Sequence, residues 1–446
     1  MVLPHLRLLI LLFPLFQCAF LSENDSRPAM AAADPVLGDQ PFIVVWNMPT
    51  ANCQKHHNIQ LNLQDFGIVE NHKQRFQGQK MSIFYRDRLG YYPYLSHNGR
   101  EVNGGLPQLG DLASHLSLTA LQLDLLLHPS FSGMGVIDWE EWQPLWENNF
   151  GSKIKYRWLS KLVVRQKRLD LSEENVTRLA RQEFEESARK FMEETLRLAV
   201  RRRPRGFWGF YGFPSCFNKH KRKTDETYTG RCHKGTKQKN DRLSWLWGQS
   251  TALFPSIYLP QRLAGSMDAA LMIRHRLLEA LRVASLWRPE NSNNQATPVL
   301  PYARLAFTHT LNFLNKTDLE HTLGESASLG AAGVVLWGEM KFAKSKKQCT
   351  LLRDYIQDVL GPFIQSLRAD TLHCSLHLCH SHGRCARQHP DSGHRLSSAS
   401  TSDPHHDTDT TYSKYFKQHF VCQCYSGWTG PQCQRVKMVG SAQNKG

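Results

Sequence analysis

Short apolar segments rich in β-branched and aromatic residues recur along the chain, with longer amphipathic stretches between them. Apolar and polar side chains do not alternate within these segments, which is typical of strands buried on both faces of a parallel sheet. The pattern predicts strands at 42–48, 80–86, 135–140, 206–213, 255–259, 299–307 and 332–337. Apolar residues at helical spacing predict helices, most clearly at 171–200, before Pro204 and Gly206, and at 267–287.

The alternation of predicted strands and helices indicates the fold class. It favours an irregular (β/α) barrel of the TIM type, with a doubly wound sheet as the alternative. We predict that this barrel occupies residues 40–365. In such barrels the functional residues lie at the carboxyl ends of the strands, so these ends are where a site is expected.

Two carboxylates follow the strand predicted at 135–140. Side chains alternate faces in an extended chain, so Asp138 and Glu140 share one side while Trp139 points to the other. A surface ion pair or a solvated strand end is the simpler interpretation of such acids. A barrel, however, would gather polar and aromatic residues from the other strand ends around the same mouth. These residues are Asn47, Tyr85, Tyr211, Tyr258 and Trp337.

Acids surrounded by aromatic rings are typical of a sugar-binding site. Sugars stack their C–H faces on rings and need fixed partners for their hydroxyl groups, and tyrosine offers both. Any one of these rings alone is more often a core residue, so the interpretation depends on their joint placement. The sequence requires no metal or cofactor, and we expect none.

The amino terminus and the cysteines indicate export. Residues 1–21 have a basic start and a short apolar stretch, which is typical of a cleaved signal peptide. Apart from Cys18 in that segment, an even ten cysteines remain. The polar tail 435–446 offers neither a lipid-anchor signal nor a membrane helix, and no other segment looks transmembrane. We expect a secreted or lysosomal monomer with glycosylation sequons at Asn24, Asn175 and Asn315.

The chain is strongly basic, with a formal net charge of +16. The excess is concentrated at 201–205, 219–223 and 341–347, which makes a polyanionic partner plausible. An exported protein meets glycosaminoglycans and anionic membranes, so we do not expect nucleic acid as a partner. Each basic cluster could also be a solvated loop without a partner.

The last six cysteines form a separate pattern, with gaps of 4, 5, 36, 1 and 8 residues. This spacing resembles an EGF-like module over 370–434 with a long inserted loop. The resemblance implies the pairs Cys374–Cys385, Cys379–Cys422 and Cys424–Cys433, although counting alone leaves 15 connectivities. Of the other four cysteines, Cys216 and Cys232 are the local pair, which leaves Cys53 with Cys349.

Several distinctive motifs lie along the chain, namely WN (46–47), IFY (83–85), LGYYPY (89–94), NGGLPQ (103–108), VIDWEEW (136–142), RPRGFWGFYGFP (203–214), WLWGQSTALFPSIYLP (245–260) and GAAGVVLWG (330–338). These motifs are similar to those of the animal hyaluronidases, and the likeness extends over residues 40 to about 435. The resemblance implies an irregular α/β barrel that hydrolyses internal β-1,4 bonds between N-acetylhexosamine and glucuronate in hyaluronan. It also implies that chondroitin could be a slower substrate.

The spacing of the acids constrains the mechanism. Carboxylates two residues apart on one strand cannot lie on opposite sides of a sugar, so the 2-acetamido group of the substrate is the expected nucleophile. The resemblance implies that Glu140 is the general acid and base and that Asp138 orients the acetamido group. It also implies substrate contacts from the residues that surround the acids, namely Tyr211, Tyr258, Trp337, Tyr85 and Asn47, with the last two on the rim.

Two alternatives stay open at the level of sequence. The first is a hydrolase of the same kind that prefers chondroitin. The second is a glycosaminoglycan-binding or adhesion protein without catalytic activity, although intact Asp138 and Glu140 count against it.

Overall fold

The computed structural model describes residues 33–218, 227–287, 295–396 and 408–437. The proposed signal peptide, the sequon at Asn24, the basic cluster at 219–223 and most of the polar tail lie outside the described residues. Strands are β1 (Ile43–Asn47), β2 (Met81–Tyr85), β3 (Tyr94–Leu95), β4 (Glu101–Val102), β5 (Met134–Asp138), β6 (Phe207–Phe210), β7 (Tyr302–Arg304), β8 (Gly333–Trp337), β9 (Gly383–Arg387), β10 (Phe420–Cys424), β11 (Trp428–Thr429) and β12 (Arg435–Val436). Helices are α1 (Ala51–His57), α2 (Leu112–Leu126), α3 (Ile154–Lys167), α4 (Glu173–Arg202), α5 (Thr236–Asp241), α6 (Ser244–Trp247), α7 (Met267–Leu286), α8 (Lys316–Leu319), α9 (Glu325–Ser328), α10 (Lys346–Tyr355), α11 (Gly361–Cys379) and α12 (Thr408–His419).

The parallel strands form two groups that isolated bridges join into a barrel. One group has the order β1-β8-β7 and the other β2-β5-β6. Bridges from Tyr211 to Phe254 and from Leu253 to Val299 connect β6 to β7. On the other side Val69 pairs with β1, and the carboxamide of Asn71 bonds both backbone groups of Met81 in β2. The predicted irregular barrel is therefore confirmed, and the register places Asn47 beside Trp337 and Tyr85 beside Asp138.

The prediction of a regular strand at 255–259 is wrong. Residues 255–259 contain only the isolated bridge between Ser256 and Tyr302. Pro255 begins this segment and Pro260 follows it, and neither has a backbone N–H to donate, so pairing stays limited to the bonds around Tyr302. The strand predicted at 299–307 is also shorter, because only β7 is regular.

The long helix α4 follows the predicted amphipathic pattern. Its buried face includes Val176, Ala180, Phe184 and Ala188, and the Ser172 side chain caps its first turn. Strand side chains that point inward, such as those of Val136 and Val335, fill the barrel interior. The site at the mouth thus rests on a packed core.

The cysteine-rich region is continuous with the barrel. Helix α11 crosses the predicted boundary between residues 365 and 370 and carries Cys374 and Cys379, while β9 and β10 pair in antiparallel fashion. The division into domains stays a prediction. The disulfides are Cys53–Cys349, Cys216–Cys232, Cys374–Cys385, Cys379–Cys422 and Cys424–Cys433, the pairs expected from the sequence.

Part of the inserted loop is not a loop, because residues 408–419 form α12. Its Phe416 is buried, so an apolar contact of this helix was hidden within a polar segment.

Among the sequons, Asn315 is exposed and caps α8 with its side chain, and Asn175 is half-buried in the first turn of α4. Glycosylation stays a prediction. Within the described ranges no helix is both long and apolar enough to cross a membrane.

Candidate active site

The two acids emerge together at the end of β5. Asp138 is the last residue of the strand and is half-buried, whereas the Glu140 side chain reaches solvent. Between them Trp139 is buried and stacks on Tyr92, with ring centroids 4.5 Å apart. This anchor fixes the alternation of side chains, so both carboxylates face the barrel mouth. The buried Oδ1 atom of Asp138 has no hydrogen-bond partner among the described residues.

Both carboxyl groups are harder to ionise than usual. Burial raises the pKa of Asp138, the negative charge of Glu140 raises it further, and the Lys153 ammonium opposes both effects. Although Glu140 is exposed at one side, the protein atoms packed around its carboxyl group remove part of its hydration and so raise its pKa, again opposed by Lys153. The pair therefore tends to hold one proton between two sites.

Lys153 is a residue of this site that the sequence analysis missed. Its Nζ atom donates a hydrogen bond to the backbone carbonyl oxygen of Glu140. A 3₁₀ turn, Gly151–Lys153, places it there. Burial lowers the pKa of Lys153, and the charges of Glu140 and Asp138 oppose that effect. A lysine 13 positions after an acid gave no signal in the sequence, because only the loop fold brings them together.

Four predicted aromatic residues form one wall of the mouth. The ring centroids of Tyr258 and Trp337 are 6.0 Å apart in a stacked arrangement, and those of Tyr211 and Tyr258 are 5.9 Å apart. The indole Nε1 of Trp337 donates to the Tyr85 hydroxyl over 3.1 Å. The structure thus brings these rings together, as their positions at strand ends predicted.

The hydroxyl groups of this wall stay protonated. Burial raises the pKa of Tyr85 to about 12, and the charges of Asp138 and Glu140 act in the same direction. Burial likewise raises the pKa of Tyr211 and that of Tyr258. These phenols therefore keep their protons, and can donate hydrogen bonds, over the whole pH range in which proteins function.

Asn47 lies deeper than the rim position that the resemblance implied. It is only 1% exposed, and its Oδ1 accepts a hydrogen bond of 3.2 Å from the Tyr302 hydroxyl. Tyr302 is itself fully buried, and its ring centroid is 5.1 Å from that of Tyr211. Asn47 and Tyr302 therefore support the aromatic wall from below.

Arg304 and Glu339 also belong to the site and were missed. The Arg304 guanidinium lies over the rings of Tyr258 and Trp337, at 5.6 and 5.2 Å from their centroids. Its Nη2 atom bonds Glu339 Oε1 over 2.9 Å. Arg304 ends β7 and so met the strand-end criterion, but the predicted strand continued to residue 307 and placed it mid-strand.

Comparisons with known proteins agree with this geometry. A family model described as Glyco_hydro_56, Hyaluronidase, matches residues 31–437. Hyaluronidase-3 of Homo sapiens is 42% identical over 403 residues, which cover 90% of this chain and 93% of that protein. Hyaluronidase-1 of Homo sapiens is 40% identical over 417 residues, covering 91% and 94%.

Solved structures show the same likeness. A bee venom hyaluronidase structure matches with a TM-score of 0.65 and 34% identity, over 73% of this chain and 99% of that one. A second structure of the bee enzyme, in complex with a hyaluronic acid tetramer, matches with the same TM-score and identity, over 73% and 98% of the two chains. The chain therefore belongs to the Glyco_hydro_56 family of hyaluronidases.

Proposed function

We propose that this protein hydrolyses internal β-1,4 bonds between N-acetylhexosamine and glucuronate in hyaluronan, with chondroitin as a slower substrate. The observation that carries the proposal is the pair Asp138 and Glu140, which leave one strand end together and face an aromatic mouth. Membership of a glycoside hydrolase family and the bee enzyme's complex with a hyaluronic acid tetramer support the same activity.

The proposed mechanism uses one acid and the substrate's own acetamido group. Glu140 gives its proton to the glycosidic oxygen while the acetamido carbonyl oxygen attacks C1, so the bond to the leaving sugar breaks. Asp138 orients the acetamido N–H and stabilises the positive charge that develops. Glu140 then takes a proton from water, which opens the cyclic intermediate with overall retention of configuration.

The aromatic wall completes this proposal. Tyr211 and Tyr258 would donate hydrogen bonds to the acetamido group, and Trp337 would lie under the sugar ring. Tyr85, held by Trp337, would lie beside the acids. Because these donors are fixed before substrate binds, they need no rearrangement during the reaction.

Digestion of purified polymers tests the activity. We expect the protein to produce new N-acetylhexosamine reducing ends from hyaluronan, faster than from chondroitin. Proton NMR should show the β-anomer as the first product. Faster cleavage of chondroitin would favour the chondroitin-preferring alternative. Binding of both polymers without any cleavage would favour the non-catalytic alternative.

A variant of Lys153 tests the electrostatics of the acid pair. The lysine charge favours the ionised carboxylates, so its removal in Lys153→Met raises both apparent pKa values of the pair. We expect the whole profile of kcat/KM against pH to move upward by about one pH unit. Lys153→Arg retains the charge and should move the profile far less. Identical profiles for the methionine variant and the parent protein would contradict this role.

The proposal also includes the compartment in which the protein works and its oligomeric state. Ten paired cysteines suit an oxidising compartment, and hyaluronan is a polyanion that suits the basic chain. We propose a monomer that works in the extracellular space or the lysosome.

A further inference from the structure

A cavity of about 230 Å³ opens beside the segment that follows Glu140. It is lined by two phenylalanine rings and by basic side chains, among them Phe150, Phe217, His233, Lys234 and Lys239. None of these residues belongs to the acid pair or the aromatic wall. The cavity is therefore a feature distinct from the candidate active site.

The two rings make an exposed apolar surface. Phe150 is 56% exposed and Phe217 is 39% exposed, and their centroids are 6.0 Å apart in an edge-to-face arrangement. Because both rings are in contact with water, covering them with an apolar ligand surface would be favourable in free energy. A sugar ring placed on them would bury their faces.

The basic groups at the cavity are available to a ligand. Lys234 and His233 are exposed, and within the described part of the chain neither forms a salt bridge. Lys239 Nζ is held by Asn148 Oδ1 over 3.0 Å, so its charge stays at the cavity wall. A ligand with one negative charge per repeat and an apolar sugar face matches this combination.

The walls of the cavity are fixed by covalent and hydrogen bonds, and one wall continues into the turn that contacts Glu140. The disulfide Cys216–Cys232 joins the neighbours of Phe217 and His233, and the His233 backbone N–H bonds the Phe217 carbonyl oxygen over 3.1 Å. On the other wall, Phe150 precedes the turn that carries Lys153 to the Glu140 carbonyl. The segment from Phe150 to Lys153 therefore runs from the cavity wall to the acid pair.

We propose that this cavity is a second binding region for the polymer substrate, which takes an anionic amino-sugar repeat outside the disaccharide that reacts. The inference rests on the proposed function. The rings hold the apolar face of the amino sugar, and Lys234 with His233 holds the uronate carboxylate. Its role is to bind substrate and transition state equally, so it affects KM and not kcat.

Binding to an inactive protein tests the proposal without cleavage. In a Glu140→Gln background, Phe150→Ala with Phe217→Ala should weaken hyaluronan binding about 10-fold, and Lys234→Gln about threefold with a smaller salt dependence. Matched controls are Leu125→Ala, an exposed apolar residue on α2, and Lys167→Gln, an exposed lysine on α3. Both controls should bind like the background protein.

The active protein provides a second measurement. The same cavity variants should raise KM for long hyaluronan by similar factors, with kcat unchanged and with little effect on tetrasaccharide cleavage. Unchanged binding and KM in the cavity variants would overturn the proposal and leave the proposed function intact. The proposal would also be overturned if the cavity variants lost binding to anionic lipid vesicles but still bound hyaluronan like the background protein. That outcome would assign the surface to membranes. If the parent protein failed to cleave hyaluronan, the proposed function would fall, and the binding assay would still decide the role of the cavity.

Discussion

Replacing Glu140 with glutamine is expected to lower the rate of hyaluronan cleavage by about 10²- to 10⁴-fold. Glutamine has nearly the same shape but cannot donate the proton that the leaving oxygen needs. The aromatic wall does not depend on Glu140, because its rings contact one another and Tyr85 bonds Trp337. Hyaluronan binding should therefore remain within about threefold of the parent value.

The next residue provides a matched control for this substitution. Glu141 is adjacent in sequence, but its carboxylate pairs with Arg86 and not with the acid pair. Glu141→Gln should change kcat by less than about threefold, since a partly exposed ion pair contributes little. Single-turnover rates and equilibrium binding of labelled hyaluronan would measure both variants. Full cleavage activity in Glu140→Gln would exclude Glu140 as the acid.

The barrel could be predicted because its strands are unusually uniform. β1, β5 and β8 are buried on both faces, so apolar runs such as 43–47 and 333–337 mark them directly. The strand ends then predict which residues meet at the mouth. Residues 255–259 show the limit, because their composition indicates a strand while Pro255 and Pro260 at the two ends donate no ladder hydrogen bond.

The residues that were missed depend on tertiary contacts. Lys153 approaches Glu140 only through two turns of an irregular loop, and Tyr302 and Arg304 were hidden inside a strand predicted too long. The resemblance implied a rim position for Asn47, and the sequence could not correct it, because it gives the strand end but not the depth at which a side chain is covered. The register β1-β8 and the hydroxyl of Tyr302 together determine that depth.

A buried ion cluster connects the barrel to the cysteine-rich region. Glu325 on α9 accepts hydrogen bonds from Arg274 on α7, at 2.7 Å, and from Arg387 on β9, at 2.8 and 2.9 Å. The three side chains are at most 5% exposed. Two guanidinium groups thus share one carboxylate in the interior, where an unpaired charge is costly.

Glu325→Gln is expected to lower the free energy of unfolding by about 3 to 5 kcal/mol, because it removes the carboxylate that both buried arginines share. Arg274 would then keep only the exposed carboxylate of Asp391, at 3.9 Å. Urea unfolding at neutral pH with the disulfides intact would measure the loss. Glu193→Gln is the matched control, since Glu193 also pairs with two arginines, Arg189 and Arg197, but along the surface of α4. That control should cost less than about 1 kcal/mol.

The effect of Glu325→Gln should also depend on pH in one direction. Burial raises the pKa of Glu325, but the hydrogen bonds and charge of Arg387, with the charge of Arg274, outweigh it and lower the pKa overall. A carboxyl group with a lowered pKa in the folded state stabilises the fold above its unfolded pKa, about 4.3, and loses that contribution as pH falls through the folded value. The stability gap between parent and variant should therefore be full near neutral pH and shrink in acid. A gap that widened below pH 4, or equal losses for Glu325→Gln and Glu193→Gln, would show that the cluster does not hold the two parts of the chain together.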